Sequence, residues 1–113
     1  MTTIWHNPRC SKSRQTLALL EENGHSPTIR LYLKDTPTKA EIEAALTQLG
    51  LSPSDLLRKG EKLYKELQLS DASEDQILAS MVEHPVLIER PIVLHNGRAA
   101  VGRPPEQVLA LFS

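Results

Sequence analysis

The chain has 113 residues, 40% of them hydrophobic and 24% charged, with a formal net charge of -1. That is enough for one domain with a core of its own, and the near-neutral balance excludes bulk electrostatic binding to nucleic acid. Trp5, Tyr32, Tyr64 and Phe112 are the only large aromatics, too few for a stacking platform. The first residues lack a basic stretch followed by an apolar run, and no segment is long enough to span a bilayer, so neither a secretory leader nor a membrane partner is expected. A single cysteine, Cys10, cannot make an internal disulfide, which points to a reducing, cytoplasmic compartment.

Thr2 to Trp5 reads as a short strand. Ser11 to Asn23 reads as a helix with Gly24 as its stop. Thr28 to Leu33 is a second strand, so the opening is a βαβ unit with parallel strands. Thr38 with Glu41 forms a capping-box pattern ahead of Ile42, Ala45, Leu46 and Leu49. Ser52-Pro53 opens a further helix through Leu56 and Leu57 to Arg58. A loop or short helical turn around residues 64–67 follows. Ser73 with Gln76 repeats the capping box ahead of Ile77, Leu78, Met81 and Val82, and His84-Pro85 ends that helix.

Residues 90–95 form a third strand, and Asn96-Gly97 is a strong hairpin signal into a fourth, Arg98 to Val101. Gly102-Arg103-Pro104-Pro105 then starts a last helix. The order β-α-β, helical insertion, β-β-α is that of an α/β thioredoxin-like fold with a four-stranded mixed sheet. The expected organisation is a single domain, 1–113. The insertion, about 36–88, is read as a subdomain packed on the sheet.

Cys10 lies where the first strand hands over to the first helix. A thiol there faces unpaired backbone N–H groups and the positive end of the helix dipole, and both favour thiolate. Arg9, Lys12 and Arg14 add positive charge. Ser13 stands where a Cys-x-x-Cys dithiol would place its second sulfur, so any redox cycle needs an external thiol. Pro91 is a candidate cis proline facing the cysteine. His6 could steady the thiolate or its loop. Arg58, Arg90 and Arg103 fall at element boundaries, where α/β folds gather their sites, although spacing alone does not set them above Arg30 or Arg98. Paired metal-ligand spacing and glycine-rich phosphate loops are absent, so no bound metal or cofactor is expected.

Together, these segments resemble a known family. His6-Asn7-Pro8-Arg9-Cys10-Ser11-Lys12-Ser13-Arg14 resembles the active-site loop of glutaredoxin-dependent arsenate reductases. Leu56-Leu57-Arg58-Lys59 resembles that family's Leu-Leu-Arg-Lys segment. His84-Pro85 with Glu89-Arg90-Pro91-Ile92-Val93, and Gly102-Arg103-Pro104, resemble its two later motifs. The resemblance spans essentially the whole chain.

It implies that Cys10 is the nucleophile toward arsenate, that His6 supports activity, and that Arg58, Arg90 and Arg103 bind the oxyanion. Asn7, Ser13, Arg14 and Pro91 would support the loop. It further implies glutathione as co-substrate and glutaredoxin as partner. Two other functions share this fold: a regulator or interaction module without catalysis, and a thiol-dependent reductase for a different substrate.

Overall fold

In a computed structural model, the chain from 1 to 112 divides into two compact units. One comprises Met1–Asp35 and the chain from Arg90 onward; the other is Thr36–Glu89.

The first unit is built on a four-stranded sheet. Its strands are β1 (Thr2–Trp5), β2 (Thr28–Arg30), β3 (Ile92–His95) and β4 (Arg98–Val101), in the order β2-β1-β3-β4. β1 and β2 run parallel, with Ile4 opposite Ile29. β3 runs antiparallel to β1, with Val93 opposite Ile4. The mixed sheet read from the sequence is therefore present. Asn96 and Gly97 close the β3–β4 hairpin at φ 50° and 79°, the left-handed pair that a tight type I′ turn requires.

Helix α1 (Ser11–Glu22) joins β1 to β2. Leu20 on α1 packs with Ile4, Val93, Val108 and Leu111 in a buried cluster, flanked by Leu17, Ala100 and Phe112. Burial of these side chains is the main stabilising contribution to the unit, at roughly 1.5–3 kcal/mol for each large one.

Several elements differ from the sequence reading; in this unit β3 begins at Ile92 instead of residue 90, which leaves Arg90 and Pro91 outside the strand. β2 ends at Arg30 instead of Leu33. β1 offers only a short partner, and the chain turns at once, the N–H groups of Lys34 and Asp35 both donating to the Leu31 carbonyl at 2.9 and 2.8 Å. The last helical segment, Pro105–Phe112, has 3-10 geometry. Pro104 and Pro105 stand at its start, neither with an N–H to donate.

The second unit holds α2 (Lys39–Leu49), α3 (Pro53–Leu56), α4 (Lys62–Glu66) and α5 (Glu74–Glu83). Both expected capping boxes form: Thr38 with Glu41 opens α2, and Ser73 with Gln76 opens α5. α3 stops before Leu57, which instead bridges to Ile88 in extended conformation. The Arg58 N–H donates to the Leu87 carbonyl at 2.8 Å, and the Glu89 N–H to the Leu56 carbonyl at 2.8 Å. That short extended pairing holds the backbone on either side of Arg58. Among the described residues, no helix is long and apolar enough to cross a membrane.

Candidate active site

Cys10 is the N-cap of α1, with extended backbone (φ -92°, ψ 123°). This geometry turns its sulfur toward the backbone N–H groups of Ser13 and Lys12. They are among the donors left over at a helix start, where no earlier carbonyl can take them. The preceding turn is fixed by two hydrogen bonds, the Cys10 N–H to the Asn7 carbonyl at 3.0 Å and the Arg9 N–H to Asn7 Oδ1 at 3.0 Å. Arg14 reaches back from α1 and donates from Nη1 to the Pro8 carbonyl at 2.8 Å.

Two arginines of the β3 and β4 ends converge on the same sulfur. Arg103 Nη2 lies 3.8 Å from Cys10 Sγ. Its Nε donates to the Arg90 carbonyl at 2.8 Å, so the guanidinium is aimed by the backbone beside Pro91. Arg90 carries its charge inward, with Nε and Nη1 buried. The Arg90–Pro91 peptide is cis, and so is Arg103–Pro104, which the sequence reading did not foresee.

Burial pushes the Cys10 thiol up and is the largest single influence on it. The Ser13 N–H, the Arg90 charge, the Lys12 N–H and the Arg103 charge act against it, and together they bring the thiol below its ordinary range. The result is a nucleophile poised toward thiolate in a pocket of positive charge.

Ser13 is more than the absence of a second cysteine. Its hydroxyl is buried, receives the Asn7 N–H at 3.0 Å and lies 2.6 Å from His6 Nδ1. The arrangement that satisfies both groups has the hydroxyl donating to a neutral imidazole. Burial, and then the charge of Arg14, lower the His6 pKa and keep that form. His6 and Ser13 thus clamp the start of α1 to the end of β1.

The unfolded chain binds a proton at the ordinary histidine value, and the native state refuses it until lower pH. Folding stability should therefore drop as pH falls below that value. Urea midpoints between about pH 7 and about pH 5 should fall further for wild type than for His6→Gln; equal slopes would refute the clamp.

Gly102 separates β4 from Arg103. Its N–H donates to the Pro91 carbonyl at 2.9 Å. A Cβ there would stand 2.8 Å from Pro91 Cγ and closer still to Thr16 Oγ1. Only glycine lets the β4 end, the Pro91 turn and α1 meet, and this close approach is what carries Arg103 to Cys10. Gly102→Ala should cost about 1–3 kcal/mol of stability by overpacking. An unchanged urea midpoint would show that the neighbours yield freely.

Of the residues singled out in the sequence, Cys10, His6, Asn7, Ser13, Arg14, Arg90, Pro91 and Arg103 all belong to the first unit. Arg58 belongs to the second, where its guanidinium pairs with Glu61 and lies 3.7 Å from Glu89 Oε1.

Comparison with known proteins gives the same direction. The chain is 52% identical over 111 residues to the uncharacterised protein YfgD of Escherichia coli strain K12, covering 96% of this chain and 93% of that one. It is 47% identical over 112 residues to an arsenate reductase of Neisseria meningitidis, covering 96% of each. A solved structure, an arsenate reductase from Vibrio cholerae, superposes with a TM-score of 0.94 at 52% identity, covering 97% of this chain and 96% of that one. The ArsC family model matches residues 5–111. With its thioredoxin-like sheet and a family match running nearly end to end, this chain belongs to the ArsC family.

Proposed function

We propose that this protein is an arsenate reductase that uses Cys10 as nucleophile and glutathione with glutaredoxin as reductant. The observation that carries the reading is the Cys10 thiol, lowered by helix-start N–H groups and by Arg90 and Arg103, with one guanidinium nitrogen 3.8 Å from the sulfur. A tetrahedral oxyanion suits such a pocket, because guanidiniums and a helix N-terminus offer it directed donors. Relatives 40–47% identical that bear the name arsenate reductase supply the substrate.

The Cys10 thiolate attacks arsenic(V). A sulfur–arsenic bond forms, and one oxygen leaves as water after protonation. Arginine charge counts most as negative charge gathers on the remaining oxygens. Glutathione thiolate then attacks the Cys10 sulfur. The sulfur–arsenic pair returns to arsenic, which leaves as arsenite, and a Cys10–glutathione disulfide remains. The two electrons gained by arsenic come from the two thiols. Glutaredoxin removes the glutathionyl group and restores Cys10. The scheme draws its electrons from thiols and requires no bound cofactor, and its thiol supply is that of a reducing cytoplasm. In it Arg90 and Arg103 hold the oxyanion. The family motif assigns Arg58 an oxyanion-binding role as well, and His6, Asn7, Ser13, Arg14 and Pro91 hold the loop.

The test is arsenate-dependent NADPH oxidation by purified protein with glutathione, glutaredoxin and glutathione reductase. Turnover is expected. Its absence under those conditions would sink the substrate, and turnover undiminished when glutaredoxin is omitted would sink the partner.

A further inference from the structure

Three of the five large apolar side chains exposed among the described residues fall within one short stretch: Ile29, Leu31 and Leu33 at 48, 38 and 41%. This stretch is the outer edge of the sheet and the turn that follows it. Beside it lies a groove of about 340 Å³, lined by Leu31, Leu33 and Lys34 of this stretch and by His6, Asn7, Pro8 and Arg9 of the turn before Cys10. The turn leading into Cys10 therefore lines the groove, and Arg90 and Arg103 do not.

The groove combines apolar walls with two exposed cations. Asp35, the acid next to Lys34, is turned toward Arg30, at 3.5 Å from its Nε. The Arg9 side chain does not hold the loop together, since that residue contributes its backbone N–H to Asn7. Both cations are thus available to a ligand. The volume lies at the lower end of small-molecule sites, whereas protein docking needs about 800 Å² of surface from each partner.

We propose that this groove is the seat of the reducing tripeptide, with Arg9 and Lys34 taking glutathione's carboxylates and Pro8, Leu31 and Leu33 packing against its backbone. The proposal rests on the reductase reading above. It explains why a chain without a resolving cysteine needs a second recognition surface. Arsenate and the second thiol must reach Cys10 together, and the arginine pocket is taken by the oxyanion. Seating the tripeptide in a groove that Arg90 and Arg103 do not line keeps the two anions on different cations.

The test uses S-methylglutathione, which cannot react, so its binding is read independently of any turnover. Titrated into wild-type protein and followed by amide NMR, it should shift the signals of Leu31, Leu33 and Lys34. Its affinity should fall about tenfold in Arg9→Glu/Lys34→Glu. In turnover, the same variant should lose about tenfold in the ratio of kcat/KM for glutathione to that for 2-mercaptoethanol, a thiol without carboxylates. No shift at millimolar S-methylglutathione, shifts confined to the Pro91 and Gly102 side, or an equal loss for both thiols would each overturn the proposal. So would a response of the groove to glutaredoxin but not to the tripeptide. Binding of S-methylglutathione in a protein that turns over no arsenate would retain the groove while removing the reductase reading.

Discussion

Cys10→Ser should abolish arsenate reduction, with turnover down by about a thousandfold or more. A serine hydroxyl in the same place keeps the helix-start N–H groups and both guanidiniums, yet supplies neither a thiolate nor an electron. Oxyanion binding should survive, because the arginines and not the sulfur carry it. Anion affinity measured on the variant should stay within about threefold of wild type. Loss of anion binding together with turnover would mean that the substitution had disturbed the pocket, and turnover retained would remove Cys10 from the chemistry.

The same thiol can be read without arsenate. Its pKa lies below the ordinary cysteine range, so the native alkylation rate with iodoacetamide should rise with pH through a lower midpoint than in the unfolded chain. At neutral pH the native protein should then react faster than expected for an ordinary thiol, although its residue is only 7% exposed.

Much of this is legible in the sequence. The capping boxes at Thr38 and Ser73 and the Asn96-Gly97 turn are local chemistry, decided within a few residues, and each forms as written. The junction that holds Cys10 was equally local. What lay beyond the sequence was set by partners far along the chain. Leu31 and Leu33 look like strand residues, but β1 provides pairing only as far as Arg30, and the two leucines become a groove wall. Gly102 gave no signal, because the atoms that exclude a side chain there belong to Thr16 and Pro91. Ser13 was legible as a missing cysteine and not as the hydroxyl joining Asn7 to His6, since the helix must form before those groups meet. Among the arginines, no physical rule separated Arg103 from Arg98. They are close in sequence, but the Gly102 approach delivers one to the sulfur, while the other sits beside the hairpin turn.

That difference makes Arg103 the most informative arginine to change. Its Nε is held by the Arg90 carbonyl, and its Nη2 faces Cys10 Sγ. An oxyanion bonded to that sulfur would lie against this guanidinium. Arg103→Ala should lower kcat/KM for arsenate by about a hundredfold to a thousandfold, the cost of losing one preorganised donor where charge develops. It should also move the alkylation midpoint of Cys10 upward, since the Arg103 charge is one of the influences holding the thiol down.

Arg103→Lys separates the two effects. The charge remains, so the thiol should stay near its wild-type value, but the planar fork is gone, and with it the simultaneous bonds to backbone and oxyanion. Turnover should therefore stay low in the lysine variant while alkylation recovers. Full recovery of both by lysine would reduce Arg103 to a point charge. Recovery of neither would mean that the side chain chiefly holds the Arg90 turn in place, a role that a fall in the urea midpoint of both variants would reveal.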